Sequence, residues 1–163
     1  MFHPELNLIA NLGRFLVNEA KDSAYISLKN VHRAFIVVII TQGAVATQHT
    51  LTLKQATAGA GTTTGTDEKA PLVNSPVYYN ENCGLSNLLT AGTATLGVYT
   101  TDIEQSRTKM VVFDIIPERD MDIANGFDCI SLNTSDFGAS CTGGVFAILI
   151  PARYAPLPTV YAD

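Results

Sequence analysis

Residues 33–43 read RAFIVVIITQG, and residues 49–56, after a short gap, read HTLTLKQA. The first stretch is apolar and rich in β-branched residues, which predicts a central strand covered on both faces. The second stretch alternates, placing Leu51 and Leu53 toward the core and Thr, Lys and Gln toward water. This pattern predicts a strand with one wet face that pairs antiparallel with the first.

The composition of the 163-residue chain favours a protein that buries part of its own surface against other subunits. Apolar residues make up 47% and charged residues 15%, against the ~25% charged residues that are usual in globular proteins. So few charges favour burial of part of the surface against other subunits. The net charge is −5, and the sequence has no run of Lys and Arg, so binding of DNA or RNA is not expected.

Other segments repeat the strand pattern at short intervals and define the predicted fold class. Five more strands are predicted in AYISLK (24–29), TLGVYT (95–100), TKMVVFDIIP (108–117), FDCISLNTS (127–135) and GGVFAILIPARY (143–154). In PERDMDIANG (117–126), an initial Pro, early acidic residues and a final Asn-Gly predict a short helix. We expect a single, mainly β domain over residues 1–163, an antiparallel β-sandwich (jelly-roll-like) or a barrel, with short helices and extended terminal arms.

Three further segments have distinct predicted roles. Residues 1–22 form either a helix, because Leu8, Leu12 and Phe15 share one helical face, or an extended arm that packs on a neighbouring subunit. Residues 58–70, AGAGTTTGTDEKA, predict an exposed hairpin tip or a flexible Gly- and Thr-rich loop. Residues 155–163 contain two prolines and predict a C-terminal arm.

The sequence shows no pattern that predicts chemistry. His3, His32 and His49 are far apart, so no metal site is expected and His49 is interpreted as solvated or hydrogen-bonded. The carboxylates between residues 114 and 122 are interpreted as a solvated helix turn. We predict no catalytic residue, no cofactor and no enzymatic activity. The carboxylates are Asp114, Glu118, Asp120 and Asp122.

Cysteine usage and the N-terminal sequence suggest where the chain is made. Cys83, Cys129 and Cys141 are widely spaced, which does not predict a disulfide framework. Cys129 lies in an apolar run and is expected to be buried. The N-terminus lacks the features of a secretion signal, and the longest apolar run, residues 34–40, is too short to cross a membrane.

The order of four segments resembles a group of small virion proteins of tailed bacteriophages, over about residues 23–155. These segments are YISLKNVHRAFIVVIITQG, HTLTLKQATA, TKMVVFDIIPERDMDIANGFDCISLNTSDFGAS and FAILIPARYAP. The resemblance implies a capsid decoration or cement protein on the capsid surface, made in the cytoplasm of the bacterial host. It implies binding to the major capsid protein and a homo-oligomer, often a trimer, with no membrane or nucleic-acid partner.

Contacts with subunits or the capsid are predicted in the two arms and in the Gly- and Thr-rich loop. A cement protein multiplies weak contacts by symmetry, and such segments can reach neighbours. The candidate contact residues are Phe2, Leu6, Leu8, Leu12, Thr62, Thr63, Thr64, Tyr154, Leu157, Val160 and Tyr161.

Two other function classes remain open from the sequence. A head–tail connector, tail-tube or tail-terminator subunit would also be β-rich, and a hexameric or twelvefold ring would favour it. A carbohydrate-binding or adhesion module would need an aromatic platform. The chain has no Trp, so Tyr78, Tyr79 and Tyr99 are the candidate platforms.

Overall fold

The computed structural model describes residues 8–15, 21–135 and 141–152. The strands are β1 (Leu8–Phe15), β2 (Lys21–Asp22), β3 (Ile26–Ser27), β4 (Val31–Thr41), β5 (Thr50–Ala56), β6 (Ser75–Asn80), β7 (Thr90–Ala94), β8 (Val98–Thr100), β9 (Thr108–Ile115), β10 (Cys129–Thr134) and β11 (Thr142–Pro151). A short helix, α1 (Pro117–Asp120), and a 3-10 turn (Ile123–Asn125) lie between β9 and β10.

The strands form two antiparallel sheets that enclose the core, so the fold is a mainly β sandwich. One sheet has the strand order β1-β11-β4-β9-β6-β7. The other has the order β2-β10-β5-β8, and β3 also pairs with β10. Within the described residues neither sheet closes into a barrel, which decides between the two predicted architectures.

Strand β4 is central, as its sequence predicts, but its two faces differ. It pairs with β11 on one side and β9 on the other. Ala34, Ile36, Val38 and Ile40 face the core and are between 0% and 1% exposed. On the opposite face Ile39 is 39% exposed. The prediction that both faces are covered is therefore wrong at this position, because none of the described segments forms a second layer over Ile39.

Strand β5 lies in the sheet opposite β4, and the predicted pairing of these two strands is wrong. It pairs with β10 and β8. Both edges of β4 are already occupied by β11 and β9, so the connecting segment 42–49 crosses to the other sheet. The predicted alternation is confirmed, since Leu51 and Leu53 are fully buried while Thr52 and Lys54 are partly exposed.

Residues 8–15 form a strand, and the predicted helix is wrong there. Strand β1 pairs antiparallel with β11 of the same chain and is the edge of the six-stranded sheet. Ala10 and Leu12 face the core and are buried, because a period of two also fits the apolar residues of this segment. Gly13 has a φ of 126° at a register shift, a value that does not fit a helix. Residues 1–7 and 16–20 of this N-terminal segment lie outside the described ranges.

The loop of residues 58–70 lies on the outer surface of the five-stranded sheet. The N–H of Tyr25 donates to Thr62 O at 2.7 Å, and the N–H of Gly61 donates to Tyr25 O at 2.8 Å. A Cβ on Gly65 would lie 2.5 Å from the Cβ of Ala56, so only Gly fits at this contact. The segment is thus a hydrogen-bonded cover for a small apolar cluster and not a free hairpin tip.

The segment after β9 matches its predicted helix. Pro117 begins α1, the N–H of Ile116 donates to Asp120 Oδ2 at 2.7 Å, and Gly126 has a left-handed φ of 84°. The predicted C-terminal arm, residues 155–163, lies outside the described residues.

Candidate functional site

The structure divides the predicted contact residues into three groups. Thr62, Thr63 and Thr64 are exposed on the loop, which leaves them accessible to a partner. Leu12 is 2% exposed in the core, so its assignment as a contact is wrong. Leu8 begins β1, and its side chain is not described. The residues outside the described ranges are Phe2, Leu6, Tyr154, Leu157, Val160 and Tyr161.

The densest group of titratable side chains surrounds Lys109 of β9. Its side chain is fully buried, and Nζ forms an ion pair with Asp102 Oδ1 and donates to Asp102 O at 2.6 Å. Glu81 Oε2 lies 3.9 Å from the same Nζ. Asp102 follows β8 in the five-stranded sheet, so this ion pair ties one sheet of the sandwich to the other.

Burial controls the protonation of the groups near Lys109. It raises the pKa of Glu81, whose Oε1 accepts a hydrogen bond of 2.6 Å from Tyr99. Burial and this hydrogen bond raise the pKa of Tyr99. Burial and the charge of Lys109 lower the pKa of His49 to about 4. The neutral His49 and the paired Lys109 therefore stabilise the sandwich at neutral pH.

The environment of His49 corrects its predicted solvation. Its side chain is fully buried at the start of β5, because the crossing from β4 brings the residue between the two sheets. Among the described residues, no group of three His, Cys, Asp or Glu side chains could hold a metal ion.

The predicted solvated helix turn is correct for Glu118, which is exposed, but wrong for Asp114 and Asp120, which are buried. Asp114 is 3% exposed and accepts hydrogen bonds of 2.7 Å and 2.5 Å from Arg33. Asp120 is fully buried and accepts a hydrogen bond of 2.7 Å from Arg119. Asp114 and Asp120 each form an ion pair with an arginine, because a buried charge is stable only when it is paired.

Two of the predicted aromatic platforms pack against the core. The rings of Tyr79 and Tyr99 are 5.2 Å apart and rest on the buried cluster. The ring surface that is buried in this way is not available for stacking against a ligand. Cys129 is buried, as predicted, and burial together with Asp128 raises the pKa of its thiol to about 12.

The first surface suited to a partner is the outer face of the six-stranded sheet. Directly paired residues share a face, and Phe35 pairs with Ile148, while Val37 pairs with Val112 and Phe146. The face is open at its rim, where Ile9 is 67% and Ile39 is 39% exposed. We call this surface the outer face. Its apolar side chains are Ile9, Phe35, Val37, Ile39, Met110, Val112, Phe146 and Ile148.

The second surface is the open edge of β7 with its flanking leucines, which we call the β7 edge. Among the described residues, strand β7 pairs in its sheet with β6 alone. Leu85 and Leu88, which precede it, are 85% and 75% exposed. Leu96, which follows it, is 47% exposed. Singly exposed leucines are common, but a group at one strand edge marks an interaction surface.

Sequence reasoning missed both surfaces, and only the β7 edge leaves a signal in the sequence. Residues 90–100 contain no charged residue, which is unusual for an open strand edge. The outer face gives no local signal, because a nearly continuous apolar strand predicts cover on both sides.

Comparisons with known proteins add little to this description. No family model matches the chain, and no curated protein matches it. Among solved structures, a chain titled turnip yellow mosaic virus is 9% identical, with a TM-score of 0.18, covering 95% of this chain and 86% of that chain. A TM-score of 0.18 is too low to indicate a shared fold. No helix in the described part of the chain is long and apolar enough to cross a membrane.

Proposed function

We propose that this chain is a structural virion protein that binds the outside of a phage capsid and stabilises the shell through oligomeric contacts. The observation that supports the proposal most is the outer face. An antiparallel sheet with one solvated face usually carries polar side chains there. Here Phe35, Val37 and Ile39 follow one another on that face of β4. Val37 is already buried within the chain, whereas Ile39 is 39% exposed and is suited to burial against another protein.

The charge distribution supports a protein partner for the outer face. The centres of protein interfaces are depleted in charged residues. Arg33 and Asp114, which flank Phe35, neutralise each other through two hydrogen bonds, so this pair does not oppose burial of the face. On a shell, each copy repeats the same contact, and avidity turns modest contacts into stable attachment.

The proposal is tested with purified undecorated shells and two matched variants. Ile39 of the outer face and Ile123 of the 3-10 turn are both 39% exposed, so Ile39→Asn and Ile123→Asn make the same chemical change. We measure cosedimentation with shells and the temperature at which shells rupture. Loss of one buried Ile contact removes about 1.5–3 kcal/mol, which weakens binding per copy by roughly tenfold or more.

The expected result is that the wild type and Ile123→Asn bind and raise the rupture temperature, whereas Ile39→Asn does not. The proposal is wrong if the wild type does not bind, or if both variants bind as well as the wild type. A ring of six or twelve subunits in electron micrographs would instead favour the head–tail role. A trimer remains the oligomer implied by the resemblance.

A further inference from the structure

We propose that Lys109 and Asp102 condense into an intramolecular amide bond with the loss of one water molecule, and that Glu81 carries a proton in this reaction. The bond joins a side chain of β9 in the six-stranded sheet to the segment that follows β8 in the five-stranded sheet. The folded chain reacts with itself, so the inference does not depend on the capsid role.

The two reacting groups are already in contact inside the sandwich. The side chain of Lys109 is fully buried, and its Nζ lies against Asp102 Oδ1. A hydrogen bond of 2.6 Å from Nζ to Asp102 O holds the amine beside the carboxyl group of the same residue. Such positioning greatly accelerates a reaction between two groups, because the entropy of bringing them together has already been lost on folding.

Two buried oxygen atoms of this cluster lack the hydrogen bonds of a well-satisfied ion pair. Asp102 Oδ1 is in ionic contact with Nζ, but within the described residues neither this atom nor the buried Glu81 Oε2 takes part in a hydrogen bond. A buried ion pair offsets its loss of hydration only when hydrogen bonds satisfy its remaining atoms. Condensation removes both charges of the pair and the Oδ1 atom, so it relieves this cost.

Glu81 is placed to carry a proton between the two groups. Its Oε2 lies 3.9 Å from Lys109 Nζ, and its Oε1 accepts a hydrogen bond of 2.6 Å from Tyr99, which holds the carboxyl group in position. Burial and the charge of Asp102 raise the pKa of Glu81, which favours the protonated form that a proton carrier has to adopt. Groups that act in general acid–base catalysis are tuned by the same two effects.

The reaction balances without any other reactant. One proton passes from Nζ to Oδ1 within the ion pair, and burial favours the neutral amine and carboxyl group that result. The lone pair of Nζ then attacks Asp102 Cγ and forms the C–N bond, while the bond from Cγ to Oδ1 breaks and its electron pair leaves on the oxygen. A second proton travels from Nζ to Oδ1 by way of Glu81 Oε2. The oxygen departs as water, and the amide nitrogen keeps one hydrogen.

Arg107 stabilises the charge that develops on the other carboxyl oxygen. Attack on Cγ places negative charge on Asp102 Oδ2, and Arg107 Nη1 donates to this oxygen at 3.5 Å. A fixed positive group beside a developing oxyanion lowers the barrier of such a reaction. The same contact identifies Oδ2 as the oxygen that stays in the amide and Oδ1 as the oxygen that leaves.

A second cluster of the same residue types provides an internal control. Lys54 Nζ lies 3.2 Å from Asp22 Oδ1 and 3.4 Å from Glu68 Oε2. The three side chains are between 29% and 34% exposed, so water stabilises their charged forms. We therefore expect no amide bond at Lys54, and the difference between the two clusters measures what burial contributes.

Intact-mass spectrometry and tryptic mapping of the purified chain test the proposal. The ion pair forms as the chain folds, and the bond accumulates afterwards, so the wild type should become lighter than its sequence by one water molecule. Trypsin does not cleave after an acylated lysine. The bond should therefore yield one branched peptide in which residues 70–107 are joined to residues 108–119. Cleavage after Lys54 should remain complete.

Three variants assign the roles in the reaction. Lys109→Arg keeps the positive charge but has no amine to acylate, so it should retain the full mass of its sequence. Glu81→Gln keeps the shape of the side chain but cannot carry a proton, and should slow formation of the branched peptide by roughly 100-fold or more. Glu118→Gln makes the same change at an exposed position and should form the bond as fast as the wild type.

The peptide map of the wild type decides the question even if the variants fold poorly. A wild type that keeps its full mass after prolonged incubation, with complete cleavage after Lys109, would overturn the proposal. Loss of water with complete cleavage after Lys109 would also overturn it, because the dehydration would then lie elsewhere in the chain. Equal rates in Glu81→Gln and the wild type would refute the role of Glu81. None of these measurements needs a shell, so failed shell binding with an intact amide bond would overturn only the capsid role.

Discussion

Replacing Val38 with Asp tests the assignment of faces in the central strand. Val38 is fully buried between the two sheets, whereas its neighbour Ile39 is 39% exposed on the outer face. Because successive side chains of a strand point to opposite faces, Val38→Asp and Ile39→Asp put the same charge one residue apart in opposite environments. The second variant is therefore a matched control for the first.

The expected magnitude follows from burial. The lost apolar contact costs about 1.5–3 kcal/mol. A buried carboxyl raises its pKa by roughly 3–5 units, which keeps it protonated near pH 7, and holding it protonated against an unfolded pKa of about 3.9 adds about 4 kcal/mol at that pH. The total is comparable to the ~5–15 kcal/mol by which native domains are stable. Ile39 is 39% exposed, so Ile39→Asp loses only part of an apolar contact and should cost about 1–2 kcal/mol.

The assay is urea unfolding of the soluble fraction, monitored by circular dichroism at pH 7 and pH 4. Val38→Asp should yield little folded protein at pH 7, and Ile39→Asp should remain folded with a modest loss of stability. Because the folded-state pKa of the new carboxyl lies above its unfolded value, its penalty shrinks as pH falls toward the unfolded value. A folded Val38→Asp with wild-type stability at pH 7 would refute the arrangement of β4 faces.

Three other predictions follow from the buried polar groups and the loop. The pKa of His49 falls to about 4 in the fold, so the unfolded chain gains a proton before the folded chain does as pH drops. The free energy of unfolding should therefore fall by roughly 3 kcal/mol between pH 6.5 and pH 4. In urea titrations, His49→Gln should flatten this dependence on pH. Relative to the wild type before its amide bond forms, Lys109→Met should cost about 1–3 kcal/mol at pH 7 by removing the buried cation beside Glu81 and Asp102, with a smaller loss at pH 4, because the raised pKa of Glu81 lets it accept a proton; equal losses at both pH values would contradict this. Deleting residues 60–66 should leave a folded but less stable domain in which Cys129 reacts faster with thiol reagents, and an unchanged labelling rate would show that the loop is not its cover.

Strands with a clear period of two or a β-branched run could be predicted from sequence because that information is local, whereas β6 and β7 lie in a segment without such a pattern. The β-branched run in β4 and the alternation of Leu51 and Leu53 in β5 predict strands and inward faces, and the structure confirms both. Helix α1 was equally predictable, since Pro117 begins it and Gly126 follows its terminal turn.

The candidate surfaces could not be predicted in the same way. A strand such as β4 has the same sequence whether its second face is covered by its own chain or by another protein. The local sequence therefore does not reveal that Ile39 is exposed. The uncharged residues 90–100 could have marked the β7 edge, but only after β7 was known to be the last strand of its sheet.

The sequence alone determined where strands such as β4 and β5 form and which of their side chains prefer burial, because periodicity and side-chain branching act within one strand. Only the tertiary structure decided which strands pair. In β1 the periods of a helix and a strand both fit Leu8 and Leu12, and the free edge of β11 selected the strand by accepting its hydrogen bonds. Strand β5 joined β10 because both edges of β4 were occupied. Pairing depends on which edges are free in space, and no segment carries that information by itself.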